Sequence, residues 1–114
     1  MKQTIGIRLT QLASQYTNFY LAEAEEETYP YAVYTIDATP VYTKDGIHHY
    51  EANVFVTVYA KELEKCDLIA DSISTAVTED MNGGQFYARL LSDKDDCSDG
   101  VWSRELNFTI KQYQ

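Results

Sequence analysis

The chain has 114 residues, 45% of them hydrophobic and 13% aromatic, and its 18 acidic against 9 basic side chains give a net charge of −9. That length suits one domain with one core, the apolar content argues against intrinsic disorder, and the acidity disfavours tight binding to phosphate backbones or anionic lipid. No run approaches the roughly 18 apolar residues of a membrane span, and no signal-like apolar core follows Lys2, so a soluble cytosolic product is expected.

In chain order, Ile5, Leu9, Leu12, Ala13 and Tyr16 recur at steps of three and four, which predicts an amphipathic helix from Gln3 to Tyr16. Phe19, Tyr20 and Leu21 are expected to extend its apolar contact. The acidic stretch Glu23 to Glu27 then reads as a solvated loop. Tyr29 to Asp37 is rich in aromatic and β-branched residues, with Pro30 near its start, and is predicted as the first strand. Asp45-Gly46 supplies turn chemistry, because glycine takes positive φ freely and aspartate bonds nearby backbone.

The clearest period follows, from His49 to Lys61. Tyr50, Ala52, Val54, Val56, Val58 and Ala60 fall on one face of this second strand, with Glu51, Asn53, Phe55, Thr57, Tyr59 and Lys61 on the other. The first face is predicted core. Phe55 and Tyr59, on the otherwise polar face, either pack locally or meet a partner; with Glu51 and Asn53 they are the candidate subunit-interface residues. Leu63, Cys66, Ile69, Ala70, Ile73, Ala76 and Val77 mark a second helix over Glu62 to Asp80, stopped by Asn82-Gly83-Gly84. Gln85 to Leu91 and Val101 to Tyr113 read as two further strands, joined by a polar loop from Ser92 to Gly100. The order α-β-β-α-β-β predicts a single α+β domain, 1–114, with an antiparallel or mixed sheet and both helices packed on one face.

Candidate chemistry is sparse. His48 and His49 adjoin each other, and neighbours on an extended strand project to opposite faces, which argues against a shared metal ion. The loop "DKDDCSD" is rich in oxygen donors but lacks the glycine and glutamate positions of an EF-hand, so Asp93, Asp95, Asp96 and Asp99 are expected to form an exposed charged loop, and Asp95-Asp96 not to act as an acid–base dyad. Cys66 lies within the apolar stripe of the second helix and reads as a buried hydrophobe. Cys97 forms no CxxC or Cys/His cluster with it, and a disulfide is not expected in a reducing compartment. No nucleophile motif or phosphate-binding glycine loop is present. The sequence therefore predicts no enzyme, no cofactor and no metal.

Taken together, "YPYAVYTI", the Asp-Gly turn, "YEANVFVTVYAKELEKCDLIADSISTAV" and the closing "VWSRELNFTIKQ" resemble the small tail-terminator, or tail-completion, family of long-tailed phages and prophages. The resemblance covers Tyr29 to Val77 and, more loosely, the final strand. It implies a structural α+β subunit without catalytic residues, assembling with itself into a ring, commonly sixfold, that caps the tail tube and joins it to the head. Its implied partners are tail-tube and head-completion proteins, and its implied location is the virion, assembled in the bacterial cytoplasm. No specific nucleic-acid or membrane binding is implied, although DNA passes through such a ring. A monomeric module that binds a peptide or small ligand on its sheet face is the alternative.

Overall fold

The computed structural model describes residues 2–21, 28–83 and 86–113. The elements run α1 (Lys2–Ala13), β1 (Asn18–Leu21), β2 (Tyr31–Thr43), β3 (Gly46–Ala60), α2 (Leu63–Asp80), β4 (Phe86–Ser98) and β5 (Val101–Tyr113). Five strands form one mixed sheet in the order β1-β2-β3-β5-β4, parallel only at β1–β2. The α+β class holds, with one strand more than the sequence suggests.

The core follows the two expected periodicities. On β3, Ala52, Val54, Val56, Val58 and Ala60 are buried; on β5, Leu106, Phe108 and Ile110; on β2, Ala32, Tyr34 and Ile36. These share one sheet face because alternate residues of a strand point the same way. Both helices cover that face. α1 contributes Ile5, Leu9 and Ala13, one turn apart, and α2 contributes Cys66, Ile69, Ala70, Ile73 and Val77. Each fully buried valine, leucine, isoleucine or phenylalanine contributes roughly 1.5–3 kcal/mol of transfer free energy.

β1 corrects the expectation for Phe19, Tyr20 and Leu21. α1 stops at Ala13, whose carbonyl accepts the amides of Tyr16 and Thr17 at 3.0 and 3.3 Å. Tyr16, past the helix end, is exposed. The chain then turns, the Thr17 hydroxyl donates to the Pro30 carbonyl at 3.0 Å, and Asn18–Leu21 joins the sheet beside Tyr31–Tyr34. Phe19 stacks on Tyr34 with ring centroids 4.6 Å apart. A four-residue strand is too short to display a period, which is why its apolar residues read as a continuation of the helix.

β4 corrects the polar loop. Ser92 to Ser98 continues the strand and pairs with Val101–Asn107, so the turn is only Asp99-Gly100, with φ of 52° and 77°. Positive φ at both central residues is the geometry that matches strand twist in a two-residue hairpin, and Asp-Gly favours it. The acidic residues form a solvated hairpin arm instead of a loop. β2 likewise runs past Asp37 to Thr43, through Pro40, where no described strand lies on its outer side and a missing N–H is tolerated.

The stop after α2 falls where the sequence places it, with Gly84 outside the described residues. The Asn82 side chain there behaves as a piece of strand. Its amide donates to the carbonyls of Thr78 and Ala88, and its oxygen accepts the Ala88 amide at 3.1 Å. This ties the helix end to β4. The acidic stretch Glu23 to Glu27 also lies outside the described residues.

Candidate interaction surfaces

Helices on one face leave the other face of the sheet bare among the described residues. Its centre is Phe55, 38% exposed, opposite Asn107 on β5. The Asn107 side-chain oxygen is buried yet has no hydrogen-bond partner among the described residues, and an unsatisfied buried acceptor costs roughly 1–3 kcal/mol. An exposed phenylalanine beside an unpartnered acceptor is a surface suited to a contact. Asn53 and Glu51 follow along β3 on the same face, both exposed.

The four candidate interface residues thus share one face but differ in circumstance. Tyr59 stacks on the buried Tyr31 at 5.1 Å, and Tyr31 in turn lies 5.4 Å from Tyr29, over whose ring Lys61 Nζ sits at 5.5 Å. That packing within the subunit accounts for Tyr59. Glu51 is held by His49 and Lys111, with Nε2 and Nζ at 3.1 and 3.7 Å from Oε1, and the bond from His49, followed by the charge of Lys111, keeps its carboxyl below the usual value. Among the described residues Phe55 and Asn53 have no such engagement. Phe55 is the strongest feature of this face.

The histidines require a correction. Val41 pairs with His49 and Tyr42 with Ile47, so His48 is an extra residue in a β-bulge. The bulge cancels the alternation that would separate the rings. They meet edge to face, with the two Nδ1 atoms 2.7 Å apart. Such a bond needs one protonated and one bare nitrogen, and the other nitrogen of His49 faces Glu51. The polar atoms of His49 are therefore engaged in hydrogen bonding. Among the described residues no group of three or more histidine, cysteine or acidic side chains is arranged to hold a metal ion.

On the helix side, the acidic arm converges on one arginine. Arg104, whose side chain is only 15% exposed, reaches Asp93 of β4 through Nε at 2.7 Å and through a second bond from Nη2. Asp71 and Asp67 of α2 lie at 2.8 and 3.4 Å, and Asp95 at 3.6 Å. The hydrogen bond to Asp93 holds the guanidinium above its ordinary value against the opposing effect of burial, with the charges of Asp93 and then Asp71 adding to it. The arrangement locks the hairpin arm to α2. It uses Asp93 and Asp95 structurally, while Asp96, next along the strand, points to the opposite face and forms no dyad with Asp95.

Cys66 is buried against the carbonyls of Val58 and Trp102, with Sγ at 3.6 and 3.8 Å. Burial, aided by the charges of Asp67 and Asp95, pushes its thiol up to about 11. Cys97 is exposed, and the two remain unpaired thiols.

Solved structures share this architecture. A chain with this fold occurs in a virion particle. It comes from the virion of a native gene transfer agent particle, with TM-score 0.70 and 16% identity over 93% of this chain and 84% of that one. Another is the gp17 protein of bacteriophage SPP1, with TM-score 0.51 and 15% identity over 99% and 88%. No family model and no curated protein matches the sequence. At such identities the likeness is one of fold.

Proposed function

We propose that this chain is a structural virion subunit of a phage or prophage, closing into a ring that terminates the tail tube and joins it to the head. The observation that carries the reading is the shared fold over 93% of the chain with a component of a gene transfer agent virion. The bare sheet face supports it. Phe55 with Asn53 and Glu51 supplies a contact surface within the assembly, since an aromatic side chain brings large buried area at low conformational cost. Head-to-tail rings need two different surfaces on each subunit, and this molecule has distinct helix, sheet and edge surfaces. A net charge of −9 discourages adhesion of DNA passing through.

The test is assembly. Native mass spectrometry and negative-stain imaging of the purified protein, alone and with a phage tail-tube subunit, should show closed rings of one stoichiometry, seated at tube ends where the tube is present. A protein that stays monomeric in both settings removes the ring reading and leaves the sheet face as a binding site for a peptide or small ligand.

A further inference from the structure

The two edges of the sheet are unlike each other, and their differences fit. β1 pairs with β2 only over Tyr31–Tyr34, whereas β2 continues to Thr43. From Thr35 onward, no strand among the described residues lies on the outer side of β2. Pro40, without an N–H, bounds the receptive stretch at Thr35–Thr39. Where β1 ends, a groove of about 630 Å³ opens between α1 and the β2 edge, lined by Gly6, Ile7, Thr10, Leu21, Tyr34 and Ile36. Ile7 and Leu21 are each 61% exposed. A backbone edge that no described strand covers, beside an apolar groove, is suited to an added strand that carries a large apolar side chain.

The other edge carries such a strand. Among the described residues β4 pairs with β5 on one side only. Its register jumps from Leu90 opposite Phe108 to Ser92 opposite Asn107, which leaves Leu91 as an extra residue outside the ladder, 49% exposed. Charge adds direction. Arg89 and Lys94 flank Leu91, lie opposite Thr109 and Glu105 on the bare sheet face, and have no ion-pair partner among the described residues. Asp37, in the middle of the receptive stretch, is exposed on that same face opposite Asn53.

We propose that the β4 edge of one copy adds to the β2 edge of the next at Thr35–Thr39, where no described strand covers it, with Leu91 in the groove beside Ile7 and Leu21 and with Arg89 or Lys94 meeting Asp37. The occupant is a second copy of this chain because the complementary backbone edge, apolar side chain and opposite charges are all present on its far side. The contact is heterologous, so repetition gives a ring or an open filament and not a symmetric dimer. This inference rests on the ring reading above and names its subunit contact.

Leu91→Glu spoils only the donating edge and Ile7→Glu only the receiving one. Both side chains are exposed, so melting temperatures should stay near that of the wild type. Each variant alone should self-associate about 10- to 100-fold more weakly, the equivalent of losing one buried leucine or isoleucine contact. An equimolar mixture retains one intact pair of surfaces, and native mass spectrometry should show a 1:1 heterodimer and nothing larger. Variants that assemble like the wild type, or a mixture that stays monomeric, overturn the edge pairing while wild-type rings keep the ring reading. Wild-type protein that shows no self-association at millimolar concentration or with the tube subunit overturns both.

Discussion

Replacing Arg104 with methionine isolates the contribution of its charge, because the apolar stem is retained while the guanidinium is lost. Asp93 then loses two hydrogen bonds, and Asp67, Asp71 and Asp95 lose the positive charge between them. Hydrogen bonds to charged groups contribute about 1.5–3 kcal/mol each, but the carboxylates are 30–65% exposed and recover much of that from water. A net loss of roughly 3 kcal/mol remains, below the upper range for breaking a fully buried pair. With an unfolding entropy near 2.1 cal/mol/K per residue over 114 residues, this lowers the melting temperature by roughly 10–15 °C.

The dependence on conditions separates this account from simple loss of packing. Without the guanidinium the variant holds four like charges close together. The stability difference between the two proteins therefore shrinks with added salt, which screens exposed charges. Urea unfolding at low and high salt measures that trend. A deficit below about 0.5 kcal/mol, or one indifferent to salt, refutes the role assigned to Arg104.

Ellman titration of the native protein should modify Cys97 rapidly and Cys66 only as fast as the protein unfolds; prompt reaction of both thiols would contradict the burial and the raised value of Cys66. Glu51, whose folded value is depressed, contributes stability that is present above its unfolded value and lost as pH falls through the folded one. Its carboxyl carbon should titrate below 4.5 by NMR, moving upward in a His49→Phe variant, and an unchanged midpoint would remove His49 as the cause. Phe55→Ser should change monomer stability by no more than about 0.5 kcal/mol while weakening assembly, as read by melting and native mass spectrometry; the reverse pattern would place Phe55 in the subunit's own packing. Phe108→Ala, at the fully buried centre of β5, should cost about 3–5 kcal/mol in denaturant unfolding.

How much of this was legible in the sequence depended on whether burial imposed a period. β3 and α2 are each half-buried over many residues, so Val54, Val56 and Val58, and Cys66, Ile69, Ile73 and Val77, wrote their geometry into the chain. The distal half of β4 buries little, and its aspartates resembled a loop; only Asp99-Gly100 marked the hairpin, and the charge run outweighed it. The His48 bulge has no sequence mark either, because an extra residue is defined by its partner strand. Phe55 was readable as an apolar residue on a polar face. The Arg104 cluster was not, since it joins residues from β4, β5 and α2, brought together only by the fold.

The edges pose a question that the monomer alone does not resolve. Proline, lysine and bulges are ordinary devices for keeping sheet edges apart, and Pro40, Lys94 and the bulge at Leu91 could be read in that way. Protection, however, would place polar side chains where a new strand would contact the molecule. Here the bulge displaces a leucine to the surface, and the stretch of β2 that no described strand covers adjoins an exposed isoleucine and leucine. Apolar exposure at those two places has a solvation cost in the monomer that edge protection does not explain. In the proposed pairing the same three devices set a limit: Pro40 ends the ladder, the bulge fixes the register and Lys94 selects a face, so strand addition stops at one defined contact instead of extending along the edge.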